Sequence, residues 1–249
     1  MGHELLEPGW RFEFKYRIPF ATSLQVRALL RSEMRIDPFS ASAPGGRYVV
    51  RSLYFDTRGD AAFHAKMAGD ANRVKYRIRA YRASRDGEGP VQLELKLRRG
   101  DASGKVVAPV DLAALDDLIG GRRGPSAGPS PAIEEFVRDY HLRGLVPRVV
   151  TMYEREGFRD RDGGATRVTL DHHVRSVASS DLFVDGRFAR PHHRHWVVLE
   201  LKSATEQVPW LHRLVRTYGL RTVANSKFTQ AMQACRPDLH HATGVVTIR

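Results

Sequence analysis

The chain has 249 residues, 42% of them hydrophobic, and 40 Lys and Arg against 28 Asp and Glu give a formal net charge of +12. A globular chain of this size buries a core without staples, its single cysteine, Cys235, excludes an intrachain disulfide, and no run approaches the ~18 apolar residues of a spanning helix. The charge points to an anionic partner: nucleic acid, an anionic membrane or phosphorylated small molecules.

The first predicted strand covers 11–18. It alternates strictly, with Phe12, Phe14, Tyr16 and Ile18 on one face and Arg11, Glu13, Lys15 and Arg17 on the other. A helix follows over 22–34, capped by Thr22 or Ser23, with Leu24, Ala28 and Leu29 on its apolar stripe. Residues 47–56 form the second strand, on which Ser52, Tyr54 and Asp56 share a face. A short helix follows over 58–67. The strand over 73–82 brings Lys75, Arg77 and Arg79 into register, and the strand over 91–98 does the same for Gln92, Glu94, Lys96 and Arg98. A short fifth strand is expected over 104–108, then helices over 111–120 and 131–142. The Gly/Pro-rich stretch between them, about 120–131, reads as an insertion loop. Strands over 148–157, 166–173 and 195–203 complete a set of eight. Trp210, Leu211, Leu214, Val215 and Tyr218 have helical spacing, 226–235 reads as a last helix, and 237–249 reads as a tail. Residues 1–236 are therefore expected to form one domain.

Several such strands side by side make a wall of Lys and Arg with a few carboxylates among them. Like charges side by side repel, so the wall calls for a polyanion, and phosphate chains are the obvious candidate. The expected architecture is α+β: a closed antiparallel eight-stranded β tunnel, polar inside, with its apolar faces turned outward against flanking helices. Arg offers phosphate a forked set of donors and Lys a mobile point charge. Glu200, Glu94 and Glu13 are the inward carboxylates best placed for a hard divalent cation, with Asp171 behind them. Each also has the plainer role of pairing with a neighbouring Arg or Lys. Tyr54 either bonds phosphate or packs. Lys227 stands at a helix start capped by Ser226, a position that attracts anions. The paired histidines, among them His172-His173 and His192-His193, match no zinc spacing and read as loop histidines.

The segments Arg11-Phe-Glu-Phe-Lys-Tyr16, Ser52-Leu-Tyr-Phe-Asp-Thr57, Lys75-Tyr-Arg-Ile-Arg-Ala-Tyr81 and Leu93-Glu-Leu-Lys96 stand in order along the chain. They are followed by Tyr153-Glu-Arg155, Arg167-Val-Thr-Leu-Asp171, Leu199-Glu-Leu-Lys202 and Ser226-Lys-Phe228. Together they resemble the VTC domain, the polyphosphate polymerase module of the triphosphate tunnel metalloenzymes, a group that also holds the CYTH adenylyl cyclases and triphosphatases. The resemblance implies a tunnel that binds ATP or another nucleoside triphosphate together with inorganic polyphosphate, assisted by Mn²⁺ or Mg²⁺. It implies Lys15, Arg77, Arg79, Arg155 and Arg167 as the catalytic cations, Lys96 and Lys227 as phosphate-binding residues, and Glu200 as a metal ligand. Lys202, Tyr54 and Ser226 are further substrate-binding candidates, and Glu94 a second metal candidate, on their positions in the sequence.

The CYTH group opens with Glu-x-Glu-x-Lys, whereas this chain has Arg11-Phe-Glu13-Phe-Lys15. That departure favours the polymerase type over a two-metal triphosphatase. The stretch 104–108 offers only Lys105 where similar chains carry more cations. A polyphosphate or nucleotide receptor without turnover and a triphosphatase stay open as alternatives. Nucleic acid is not the expected ligand, because no aromatic stacking platform accompanies the cations. With one cysteine and no leader pattern, the expected location is the cytoplasm, and any membrane contact would come through a membrane-protein partner.

Overall fold

The computed structural model describes residues 12–100, 102–124, 130–203 and 209–239. Arg11, most of the proposed tail, residues 125–129 of the insertion loop and residues 204–208 lie outside them. In chain order the elements are β1 Phe12–Pro19, α1 Phe20–Glu33, β2 Arg35–Ile36, α2 Pro38–Ser42, β3 Tyr48–Thr57, α3 Ala61–Met67, β4 Arg73–Ala80, β5 Val91–Arg99 and β6 Ala102–Pro109. They continue with α4 Leu112–Ile119, α5 Pro131–Arg143, β7 Leu145–Arg159, β8 Arg167–Ala178, β9 Arg190–Pro191, β10 Trp196–Ser203, α6 Pro209–Thr217 and α7 Lys227–Cys235.

All strand pairings are antiparallel, and eight strands run β1-β10-β8-β7-β3-β4-β5-β6, with β2 added to β7 and β9 to β8. The expected closed barrel of eight strands is therefore corrected to a ten-stranded sheet that stays open. Among the described residues β6 and β1 share no backbone pairing. The sheet curls instead, and side chains span the gap: Lys96 Nζ on β5 lies 3.5 Å from Glu13 Oε2 on β1. Alternation specifies which face a side chain takes; it carries no information on whether the two edge strands reach hydrogen-bonding distance.

The apolar faces do turn outward. Tyr16, Ile18, Leu170, Leu199 and Leu201 pack against Val26 and Leu30 of α1 and Leu211 and Leu214 of α6. Phe55, Tyr76, Ile78, Leu93 and Leu95 pack against Leu115 of α4 and Phe136 of α5. The helix stripe differs from the expected one. Pro19, at φ −56°, ends β1 and lets the helix begin at Phe20, without a side-chain cap. The buried stripe becomes Ser23, Val26 and Leu30, while Leu24 is exposed. Ser23 Oγ is spent on the carbonyl of Phe20 at 2.6 Å rather than on a cap.

On the concave side α7 packs Phe228, Ala231 and Met232 against Tyr54 and Val149. Gly157, on β7, has the carboxylate of Asp37 seated where a Cβ would be. That carboxylate accepts from Ser40 N at 2.8 Å, capping α2, and lies 3.2 Å from an Arg167 nitrogen. Gly157→Ala is expected to destabilise the protein by roughly 1–3 kcal/mol through this overlap, measured by urea denaturation. An unchanged midpoint would contradict the packing described.

Candidate functional site

The concave face collects side chains from nearly every long strand. On β1 and β10 the register sets Lys15 opposite Glu200 and Glu13 opposite Lys202. The ion pairs run along the strands, Lys15–Glu13 at 2.8 Å and Lys202–Glu200 at 3.0 Å. On β4 and β5, Arg77 stands opposite Glu94 and Lys75 opposite Lys96. Arg77 donates to Glu94 from Nε at 2.8 Å and from a second nitrogen, Arg79 reaches the other oxygen of Glu94 at 3.6 Å, and Lys105 of β6 stands 3.7 Å from it. Arg79 also donates to Ser52 Oγ at 3.1 Å, and Arg77 to Tyr54 Oη at 3.2 Å. On β7 and β8, Arg155 grips Asp171 with two bonds of 2.6 and 2.8 Å, and Lys227 reaches the same carboxylate at 2.5 Å.

The structure thus brings all the expected site residues onto one surface, and their roles separate. Arg167 sits at the rim, half exposed, held by Asp37 and near Tyr48 Oη. Ser226 caps α7, accepting from Thr229 N, and its hydroxyl also accepts from Lys75 Nζ at 3.2 Å. Glu94 has no exposed surface and lies between Arg77 and Arg79. That is an ion-pair position rather than an open ligand position, so Glu94 is the weaker of the two metal candidates. Glu200 lies in the reach of four cations.

The electrostatics follow from burial against pairing. Burial alone would raise Glu94, but Arg77, Arg79 and Lys105 hold its carboxyl at about 2. Burial likewise opposes ionisation of Asp171, yet Arg155 and Lys227 hold it at about 2. Glu200 is driven well below the usual carboxylate range against its own burial by Lys202, Lys15, Lys227 and Arg155. All three carboxylates are ionised at neutral pH, and cations still outnumber them on this face.

Two residues outside the expected set lie on the same face. Tyr153, on β7, is buried, and its hydroxyl has no hydrogen-bond partner among the described residues. The Arg155 guanidinium lies 5.2 Å and Lys227 Nζ 4.8 Å from its ring centre. The ring thus lies beside both cations, and its buried hydroxyl is a donor left without an acceptor among the described residues. Its position two residues before Arg155, on the same strand face, was the available sequence signal.

Lys75 is the second. Its side chain meets Ser226 and the Phe228 ring, and no carboxylate pairs with it among the described residues. Burial, then Lys66, Lys96, Arg73 and Lys15, push its pKa down to about 7. An unfolded lysine titrates near 10.4, so between about pH 7 and pH 10 the unfolded chain holds the extra proton and this lysine's contribution to stability rises with pH. Below pH 7 its burial penalty is fully present. An anion placed beside Lys75 favours the charged form, so binding at pH 8 takes up a proton. Affinity for an anionic probe such as tripolyphosphate, if seated beside Lys75, is expected to fall by up to about tenfold per pH unit above 7, with the slope reduced in Lys75→Met. Equal slopes for the two proteins in a titration series would contradict this.

The described residues thus form a curled, open antiparallel sheet with helices on its convex side and a cationic concave face. The chain belongs to the VTC domain family, whose model matches residues 10–236. Solved structures share the fold at low identity. A candidate adenylate cyclase from Bacillus halodurans aligns at TM-score 0.53 and 14% identity over 86% of this chain and 92% of that one. A candidate adenylyl cyclase from Hippeastrum, a protein with a dominant triphosphatase activity, aligns at TM-score 0.53 and 15% identity over 91% of this chain and 97% of that one. None of the curated proteins matches. No helix among the described residues is long and apolar enough to cross a membrane.

Proposed function

We propose that this protein is an ATP-dependent polyphosphate polymerase, which binds a nucleoside triphosphate and a polyphosphate chain along the concave face and passes the γ-phosphoryl group to the chain end. The observation that carries this reading is the excess of cations over carboxylates on that face, from buried Arg79 and Arg155 to part-exposed Lys15, Lys96, Lys105 and Lys202, together with membership of the VTC family. The acceptor is a phosphate oxygen already ionised near neutral pH, so the step needs no strong base. It needs in-line positioning and donors aimed at the equatorial oxygens of the transferring group.

Arg79, Arg77 and Lys15 are placed to hold the transferring phosphoryl group, with Arg167 at the rim. Arg155 and Lys227, locked on Asp171, present their remaining donors and the Tyr153 hydroxyl to the chain. Lys96 and Lys202 extend the cationic track toward β1. Among the described residues no three carboxylates or histidines gather into a metal cage. Glu200, with one ionised carboxylate, suits the other mode of binding Mg²⁺ or Mn²⁺, in which substrate phosphates complete the shell. Such an ion, held by Glu200, would supply neutralisation of the phosphate charge. Glu13, the remaining inward carboxylate on β1, is already engaged by Lys15 and Lys96.

The reading is tested by transfer of label from γ-labelled ATP to a short polyphosphate primer. Labelled chains longer than the primer are expected. Label recovered only as free phosphate would replace the proposal with triphosphatase activity, and tight primer binding without transfer would replace it with a receptor role. Tyr153→Phe is expected to lower kcat/KM for chain extension by roughly tenfold, the loss of one donor to a charged group, with an unchanged melting temperature. Wild-type kinetics would remove Tyr153 from the site.

A further inference from the structure

The end of the concave face that holds Arg167 carries a feature its cations and carboxylates do not explain. Three aromatic side chains meet there: Phe39 of α2, Tyr48 at the start of β3 and Tyr81 just past the end of β4. The Phe39 and Tyr81 rings are stacked, with 5.5 Å between centres and 21° between planes. Tyr48 packs against both, at 5.6 and 6.1 Å. Tyr48 is buried and Tyr81 partly buried, whereas Phe39 is 47% exposed and lies outermost.

The segment that presents Phe39 is fixed. Pro38 opens α2, and the Asp37 side chain caps it by accepting from Ser40 N at 2.8 Å. Two backbone groups of β7 hold it in place: Asp37 N donates to the Gly157 carbonyl at 2.9 Å, and Gly157 N donates to Ser40 Oγ at 2.8 Å. The ring is therefore presented in one position, with little ordering left for a ligand to impose.

The aromatic cluster is continuous with the tunnel cations. Tyr48 stands opposite Arg155 in the β3–β7 register, and its hydroxyl lies 3.5 Å from Arg167. Tyr81 N–H still pairs across the hairpin with the Pro90 carbonyl at 3.0 Å, so Tyr81 continues the strand and shares a face with Arg79 and Arg77. At the rise of a strand these two arginines lie about 7 and 13 Å further in. That is the order of separation between the base and the outer phosphates of an extended nucleoside triphosphate.

We infer that this cluster is the nucleoside platform of the site, on which the base stacks over Phe39, backed by Tyr81, while the triphosphate runs inward past Arg167 to Arg79 and Arg77. The platform presupposes the tunnel reading proposed above and assigns the nucleoside to the α2 end of the face. Stacking on an aromatic ring uses the π-face that every base has, so the platform favours a nucleotide over bare polyphosphate of the same charge. Residues 39, 48 and 81 are far apart in the chain, and only the fold sets them together.

The experiment is calorimetric titration of the full chain with a non-hydrolysable ATP analogue and, separately, with tripolyphosphate. Phe39→Ala is expected to weaken the analogue by about tenfold and to leave tripolyphosphate affinity unchanged. Phe39→Trp keeps a π-face and is expected to bind the analogue at least as tightly as the wild type. Equal analogue affinity in the wild type and Phe39→Ala would overturn the inference. So would a parallel loss of tripolyphosphate in Phe39→Ala, the mark of a ring that only supports the rim. In both cases tripolyphosphate binding to the wild type would leave the tunnel reading standing. Failure of tripolyphosphate to bind the wild type would instead sink that reading, and the platform with it.

Discussion

Replacing Arg79 with alanine is expected to lower phosphoryl transfer by about 10²–10³-fold, the size of effect seen when one aimed donor is removed from a developing charge. The protein should stay folded. Glu94 loses only its 3.6 Å partner and keeps Arg77, which donates to it from two nitrogens, and Lys105 at 3.7 Å. The buried carboxylate is therefore not orphaned, which is the case that costs most. Arg79→Lys keeps the charge and loses the fork, so it should recover only part of the rate. The result is read from steady-state kinetics beside a melting curve. Wild-type turnover in Arg79→Ala would remove this residue from the reaction, whatever its effect on binding.

Glu200→Gln is the second large effect, and its signature has two parts. The substitution is nearly isosteric and leaves an oxygen to accept from Lys202, which stands 3.0 Å from the carboxylate. It removes one negative charge from a face where Lys202, Lys15, Lys227 and Arg155 all act on that group. Polyphosphate affinity in the presence of a chelator should therefore rise or hold. Turnover in Mn²⁺ or Mg²⁺ should fall by about 10²-fold or more if Glu200 helps seat the ion on the phosphates. A residue that only balanced Lys202 would show the gain in affinity without the loss of rate, so unchanged turnover would reassign Glu200 to ion pairing.

The parts of this account that were legible in the sequence are those that depend on one strand at a time. Lys15, Arg77, Lys96, Glu200 and Lys202 were placed on one face by period-two alternation, and the pairing registers put them there. The period breaks just past Asp171. Beyond it, β8 is irregular, with His173 at φ 51° and a register shift against β7 between Met152 and Glu154. Asp171 and Val174, three residues apart, therefore both face the concave side, Asp171 holding Arg155 and Val174 packing with Tyr48 and Tyr153. An extra residue in a strand leaves no trace in hydrophobic period.

Pairings between distant segments were equally hidden. Asp37 meets Arg167 across the space left by Gly157, and Lys75 meets Ser226; neither contact has a local signature. Tyr153 was visible as a neighbour of Arg155, but its unpartnered hydroxyl depends on what β8 and α7 bring near it. The open edge between β1 and β6 belongs to the same class of fact, since it is a property of how far the sheet curls.

The most direct test of the central claim is product partition. Purified protein is incubated with ATP and Mn²⁺, and polymer and free phosphate are measured in the same reaction. Polyphosphate accumulating in step with ADP, with little free phosphate, and lost in Arg79→Ala, is the predicted result. ADP matched by free phosphate with no polymer would contradict it and make this tunnel a hydrolase.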